Sequence, residues 1–185
     1  MKKRWICLFV ENEIGVLARI SGLFSGKSYN LDSLTVGVTE DSTISRMTIS
    51  LTSDDRTFEQ IKKQLGRSVE VIKVVDYTDT PIHMKEILFV KVNHCSDADV
   101  TELFRISTVF GVAVIDYDGA TVLLECAQTE NRNDDLITLL KEKFANRIEI
   151  VRGGSVAVEA VASKMPSFND RDRKCGMEQY KKQAT

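Results

Sequence analysis

Asn12 and Gly15 stand three residues apart in "VENEIGVLARI", where an apolar run breaks at Glu11-Asn12-Glu13 and an amphipathic pattern begins at once. A helix starting near Gly15 turns the free N–H groups of Ile14 to Leu17 back over this loop, and such a helix start is a natural seat for a carboxylate. Glycine at position 15 removes the Cβ that would hold a ligand away from the backbone. Asn12 carries both a donor and an acceptor, as recognition of a zwitterionic amino acid requires. A second asparagine, Asn30 in "KSYNLDSLTV", comes just before the next strand. Read from these residues alone, a plain strand-to-helix turn, with Asn12 near the cap and Asn30 in the following turn, is the favoured account, because short motifs match by chance.

Other chemistry is sparsely represented. The two histidines are His83, in a linker-like stretch, and His94, just before a helix. His94-Cys95-Ser96-Asp97 gathers potential metal ligands, but sequence neighbours diverge in direction, and a loop with capping residues accounts for them. There is no phosphate-binding glycine loop, no G-x-S-x-G and no H-E-x-x-H. The acidic pairs Asp54-Asp55 and Asp134-Asp135 fall at expected helix starts, where carboxylates favour the positive end of the dipole. Cys7, Cys95, Cys126 and Cys175 are far apart, so neither a zinc site nor a disulfide framework is expected. The reading is of a chain that is not an enzyme.

Composition sets the wider bounds. The 185 residues, 43% of them hydrophobic and 28% charged, suit two small domains with real cores. A net charge of −2 argues against a general nucleic-acid binder, and no apolar run approaches the ~18 residues of a membrane span. The start "MKKRWICLFV" mimics the basic end of a signal peptide, but Glu11 and Glu13 cut its apolar part short. A cytoplasmic location is expected.

The elements that must position Asn12 and Gly15 follow from periodicity. Residues 4–10 read as a strand, and Val16, Leu17, Ile20, Leu23 and Phe24 as a helix face over 16–26. Residues 31–39 and 44–52 alternate as a hairpin, with Leu34, Val36 and Val38 on one side and Met47, Ile49 and Leu51 inward. Ser53 or Asp54 caps a second helix with Phe58, Ile61 and Leu65 inside, Gly66 ends it, and 69–77 is a fourth strand. The order β-α-β-β-α-β then repeats. Strand 86–92 is followed by a helix capped by Ser96 or Asp97, facing inward with Val100, Leu103, Phe104 and Phe110 and closed at Gly111 in the left-handed conformation. A hairpin turns at Asp118-Gly119, both at positive φ, before a helix with Leu136, Ile137, Leu140 and Phe144 inside and a last strand at 147–151. The fold class is α+β, two ferredoxin-like units in tandem. Their boundaries are 1–78 and 85–162, joined by a linker at 79–84 and followed by a polar tail, 163–185, with six basic and three acidic residues.

Strand 4–10 is apolar on both sides, with Trp5, Cys7 and Phe9 on one face and Ile6, Leu8 and Val10 on the other. In a lone unit of this kind helices cover one face of the sheet and the other is wet. Something must therefore cover the open face: the second domain, a second copy or a larger partner. RNA binding, which this strand order also serves elsewhere, needs aromatic residues for base stacking, and "ISRMTISLT" has none.

"ENE-I-GVL-R", "GLFS", "YN", "SLTV" and "SRMTI", dense from Leu8 to about Val75, closely resemble the N-terminal ACT domain of acetolactate (acetohydroxyacid) synthase small subunits. "EILFVKV", "FGVAVIDY" and "EIVRGGSVAV" continue the resemblance more loosely to about residue 161. It implies a regulatory subunit that pairs its ACT domains side by side into a sheet shared by two chains. At the junction valine, or leucine or isoleucine, binds and inhibits the catalytic large subunit, which the small subunit also activates. By match to the motif, Asn12, Gly15, Val16 and Leu17 hold the effector from one chain, and Asn30 and Leu31 from the other. No cofactor is expected on this chain; thiamine diphosphate, magnesium and FAD are expected on the large subunit. Family members commonly have glycine where this chain has Ser28. The contrasting expectation is a stand-alone ACT amino-acid sensor acting on another enzyme or a transcription system.

Overall fold

The computed structural model describes residues 1–26 and 29–161, so Ser28 and the tail 163–185 lie outside the described residues. The first unit runs β1 (Lys2–Glu11), α1 (Val16–Ser25), β2 (Ser33–Val38), β3 (Ile44–Ser53), α2 (Asp55–Leu65) and β4 (Val71–Asp76). The second runs β5 (Ile82–Val92), α3 (Asp97–Phe110), β6 (Ala113–Tyr117), β7 (Val122–Gln128), α4 (Glu130–Lys143) and β8 (Ile148–Glu159). The antiparallel sheets have strand orders β2-β3-β1-β4 and β6-β7-β5-β8, the same topology twice.

In the first unit Ile6, Leu8 and Val10 of β1 pack with Val16, Ile20, Phe24, Met47, Ile49, Leu51, Phe58, Ile61 and Leu65, all essentially buried. The 3.6-residue and two-residue periods thus converge on one core, as the pattern predicts. Asp54 caps α2, accepting a hydrogen bond from the Thr57 N–H at 2.9 Å. In the second unit Leu136, Ile137, Leu140 and Phe144 join Leu88, Val90, Val92, Val100 and Leu103. Phe104 departs from expectation. It is half-exposed, and Ile106 and Ser107 turn inward instead.

Ser96 caps α3 in a reciprocal capping box with Asp99, and Gly111 closes the helix at φ 65°, ψ 44°. Arg147 donates to the Asp99 carboxylate at 3.0 Å. That bond and those from Ser96 hold the Asp99 carboxyl down at about 2. A folded-state value below the ordinary 3.8 means stability present at neutral pH and lost as pH falls toward 2. Asp99→Asn is expected to lower the thermal midpoint at pH 7. The difference from the unsubstituted chain should disappear near pH 2, as a pH series of melting curves would show.

Three expectations are corrected. The hairpin at Asp118-Gly119 has positive φ only at Gly119 (89°). The loop is four residues, 118–121, held by the Asp118 carboxylate accepting from the Ala120 and Thr121 N–H groups, which lets Asp118 keep ordinary dihedrals. Asp134 and Asp135 are not at a helix start, because α4 begins at Glu130; Asp134 pairs with Arg152 instead. The strands 86–92 and 147–151 are longer than their periodicity suggests. Ile82 to Glu86 of β5 pair with Ser155 to Glu159 of β8, so half of the expected linker 79–84 is already strand.

That extension has a purpose in packing. It forms a two-stranded arm whose Ala157 and Met84 lie against Cys7, Trp5, Phe9 and Tyr77 on the open face of the first sheet. The second unit therefore covers the second apolar face of β1. The Arg46 guanidinium donates to the Ala157 carbonyl at 2.6 Å, to the Tyr77 hydroxyl at 2.9 Å and to Cys7 Sγ at 3.1 Å. The Thr35 hydroxyl donates to the Ser155 carbonyl at 2.9 Å, and Lys3 pairs with Glu130. The glycines of "RGGS" make this approach possible. Gly154 is at φ 75°, and a Cβ there would lie 2.9 Å from Thr35 Cγ2; one at Gly153 would lie 2.3 Å from Ile87 Cγ2. Where the arm leaves the sheet, buried Glu86 receives both Arg152 Nε (2.8 Å) and Nη2 (2.7 Å) and the Asn133 amide (3.0 Å). Burial opposes ionisation of Glu86, but the Arg152 and Asn133 bonds prevail and hold its pKa below the ordinary carboxylate value.

Candidate functional site

Gly15 occupies the N-cap of α1 at φ 90°, ψ −12°, a left-handed conformation that L side chains adopt only with strain. A Cβ built there meets nothing within 4 Å, so the glycine answers to the backbone conformation and not to crowding within the chain. The N–H groups of Leu17 and Ala18 have no backbone acceptor among the described residues, and Val16 N–H reaches only the Glu13 carbonyl at 3.4 Å. These are the orphan donors of a helix start.

The helix starts differ in how they are closed. α2 has the Asp54 cap and Asp55 in its first turn; α3 has Ser96, Asp97 and Asp99; α4 has Glu130. Among the helices of the described residues only α1 has neither a side-chain cap nor an acidic residue in its first turn. In the second unit the equivalent helix start is filled from within by the Asp99 carboxylate. The first unit leaves its own open to an external anion.

The remaining expected residues divide. Asn12 is a clasp between the β1–α1 loop and the β2–β3 turn: its Nδ2 donates to the Ser42 carbonyl at 2.9 Å, and its Oδ1 accepts from the Ser45 hydroxyl at 2.9 Å. Its backbone N–H also donates to the Thr43 carbonyl at 2.7 Å. A carboxamide retains one further N–H and one further lone pair beyond those side-chain bonds. The Val16 side chain is buried in the core, so only its backbone can face a ligand; Leu17 is half-exposed beside the helix start. Asn30 is exposed and makes no hydrogen bond among the described residues, whereas Leu31 is half-buried against its own core. Ile14 is fully exposed, so the surface over Gly15 is open on the single chain.

Periodicity did not anticipate a groove of about 670 Å³ between the units, lined among others by Phe9, Val36, Arg46, His83, Lys85 and Val158. Its one sequence signal is the two-sided apolar character of 4–10. Among the described residues no group of three or more His, Cys, Asp or Glu side chains is placed to hold a metal ion. His94 sits at φ 54° before the Ser96 cap, and its carbonyl accepts from Arg147 at 2.8 Å. No helix among the described residues is long and apolar enough to cross a membrane.

Residues 6–73 match the family model described as the small-subunit-like ACT domain of AHAS, and residues 85–161 match the small subunit of acetolactate synthase. The acetolactate synthase small subunit of Aquifex aeolicus is 40% identical over 170 residues, spanning 92% of this chain and 88% of that protein. The isozyme 3 small subunit of Escherichia coli is 34% identical over 156 residues, spanning 84% and 94%. The crystal structure of the acetolactate synthase small subunit from Thermotoga maritima superposes with a TM-score of 0.78 at 31% identity, covering 86% of this chain and 98% of that one. With both halves matched in order and the tandem fold shared, the chain belongs to the family of acetolactate synthase small subunits.

Proposed function

We propose that the chain is the regulatory, non-catalytic subunit of a thiamine-diphosphate-dependent acetolactate synthase, binding valine between two copies of its first unit and docking on the catalytic large subunit. The observation that carries this reading is the open start of α1 at Gly15, which offers backbone N–H groups and a helix dipole to an amino-acid carboxylate on a surface that one chain cannot enclose. Asn12, Gly15, Leu17 and the Val16 backbone form the first wall in this reading, and Asn30 with the backbone of Leu31 forms the second, from the other copy. Leucine or isoleucine satisfies the same polar contacts. Thiamine diphosphate, magnesium and FAD belong to the large subunit.

The sheet edges support the side-by-side pairing. β4 carries Lys73 and Asp76, and its pairing with β1 shifts register at Phe9/Val10. β6 carries Asp116 and a register shift, and β8 carries Glu149, Arg152 and Glu159 with another. Charges and bulges of this kind guard an edge against association. β2, "SLTVGV", has neither charge, proline nor register shift. An unguarded edge beside an open half-site fits a strand that pairs with its own copy, which makes valine occupancy depend on the interface.

Mixing the chain with the large subunit from the same organism is expected to raise the rate of acetolactate formation and to make it valine-sensitive. If neither the rate nor the valine response changes, this reading fails and the stand-alone sensor takes its place.

A further inference from the structure

The groove between the units has a floor of polar groups that the fold leaves partly unsatisfied. Met47 and Ile49 of β3 enter the core, so Arg46 and Thr48 face the other side of the sheet, where the arm lies. Both line the groove. Arg46 lies opposite Gly37 of β2, and Thr48 opposite Thr35. The Arg46 Nε and Nη2 groups are spent on Cys7, Tyr77 and Ala157. These two nitrogens form one edge of the planar guanidinium, so Nη1 carries an N–H away from it. Nη1 makes no hydrogen bond among the described residues. Thr48 is only 4% exposed, and its hydroxyl likewise makes none among them. Gly37 notches the same floor. A Cβ there would meet nothing within 4 Å, and its backbone is not in the left-handed region, so neither crowding nor φ calls for glycine. Half-exposed Val156 and Val158 of the arm, with Phe9, make an apolar wall, and exposed Lys85 and Glu40 stand at the rim.

We propose that this groove binds a small monocarboxylate with a short branched chain. Its oxygens take the free Arg46 N–H and the Thr48 hydroxyl, and its chain lies over Gly37 against Val156 and Val158. A guanidinium and a hydroxyl without a facing acid on the floor fit an anionic head, and a charge-assisted bond to Arg46 is the strongest contact available there. The valine wall fits an apolar chain. Fatty acids and 2-oxo acids of four or five carbons share this chemistry. Gly15 does not line the groove, so the site stands apart from the reading of α1. Because the floor belongs to the first unit and the wall to the second, an occupied groove favours the arrangement in which the arm lies on the sheet.

The test titrates the full chain with 3-methylbutanoate and, in parallel, with 3-methyl-2-oxobutanoate, followed by calorimetry and amide chemical shifts. Binding at ~1 mM is expected for so small a ligand, with the largest shifts at residues 37, 46–48 and 156–158. Thr48→Val keeps the shape and removes the hydroxyl; it is expected to weaken binding about tenfold, the scale of one hydrogen bond to a charged group. Gly37→Leu fills the notch and is expected to abolish binding. Neither substitution removes a bond from Arg46 to the arm, and circular dichroism checks that both variants fold. Tighter binding of the 2-oxo acid makes that class the ligand, and equal or weaker binding makes it the fatty acid; both support the site. Gly15→Asp controls for location and is expected to leave the affinity for 3-methylbutanoate unchanged. If Gly15→Asp loses that binding while Gly37→Leu keeps it, the carboxylate sits at the start of α1 and the inference is overturned. Absence of shifts at 37, 46–48 and 156–158 of the unsubstituted chain at ~10 mM ligand overturns it without any variant.

Discussion

Gly15→Asp is expected to abolish inhibition by valine while the mixed enzyme keeps the activation proposed for the small subunit. Two physical effects add. Any L side chain at φ 90° costs about 1–2 kcal/mol in backbone strain, so the variant should melt somewhat lower. The carboxylate would also occupy the position that the structure leaves empty within 4 Å and repel the carboxylate of the effector. Gly15→Ala separates the two, because it shares the strain and the added bulk without the charge. Calorimetric titration of both variants is expected to show valine affinity falling further for aspartate than for alanine, by roughly tenfold for each ~1.4 kcal/mol of repulsion. An aspartate variant that binds valine as the unsubstituted chain does would move the effector away from the helix start. The comparison matters because α1 differs from the other helices in what its first turn lacks: no side chain competes with a ligand for its N–H groups.

Much of the frame around Gly15 was legible because it depends on local chemistry. Phe58, Ile61 and Leu65, or Leu136, Ile137, Leu140 and Phe144, mark their inner faces by spacing alone, and Ser96 and Gly111 mark the ends of a helix by their own conformational preferences. The two-sided strand 4–10 even announced that its open face is covered. What covers it was not legible. The arm strands, "IHMKE" and "SVAVE", are supported by each other across about seventy positions and by a surface in the other unit, and no short-range period records such support. Arg46 shows the same limit. On the sequence it is a charge between Ser45 and Met47 in an alternating strand, and only the fold brings it to Ala157, Tyr77 and Cys7. At the candidate site, Gly15 was legible and the clasp role of Asn12 was not, because Ser42 and Ser45 lie some thirty residues away.

The proposed sharing of the effector site between two chains makes a prediction that a site within one chain cannot mimic. Gly15→Asp spoils the helix-start wall, and Asn30→Ala removes the exposed asparagine assigned to the opposite wall. Each variant alone is expected to give an enzyme insensitive to valine. When the two are mixed and allowed to exchange, about half of the dimers contain one chain of each kind. In such a dimer one site joins both defects, but the other joins the intact Gly15 loop of the asparagine variant to the intact Asn30 of the glycine variant. About a quarter of all sites should then regain function, and valine inhibition should return in part, rising with exchange time to a plateau. A site built within one chain leaves every site defective after mixing, and inhibition stays absent however long the exchange. Partial recovery would also tie effector binding to the β2 edge, since only chains that pair can complement, and Val36→Lys placed in either partner should remove the recovery together with the dimer.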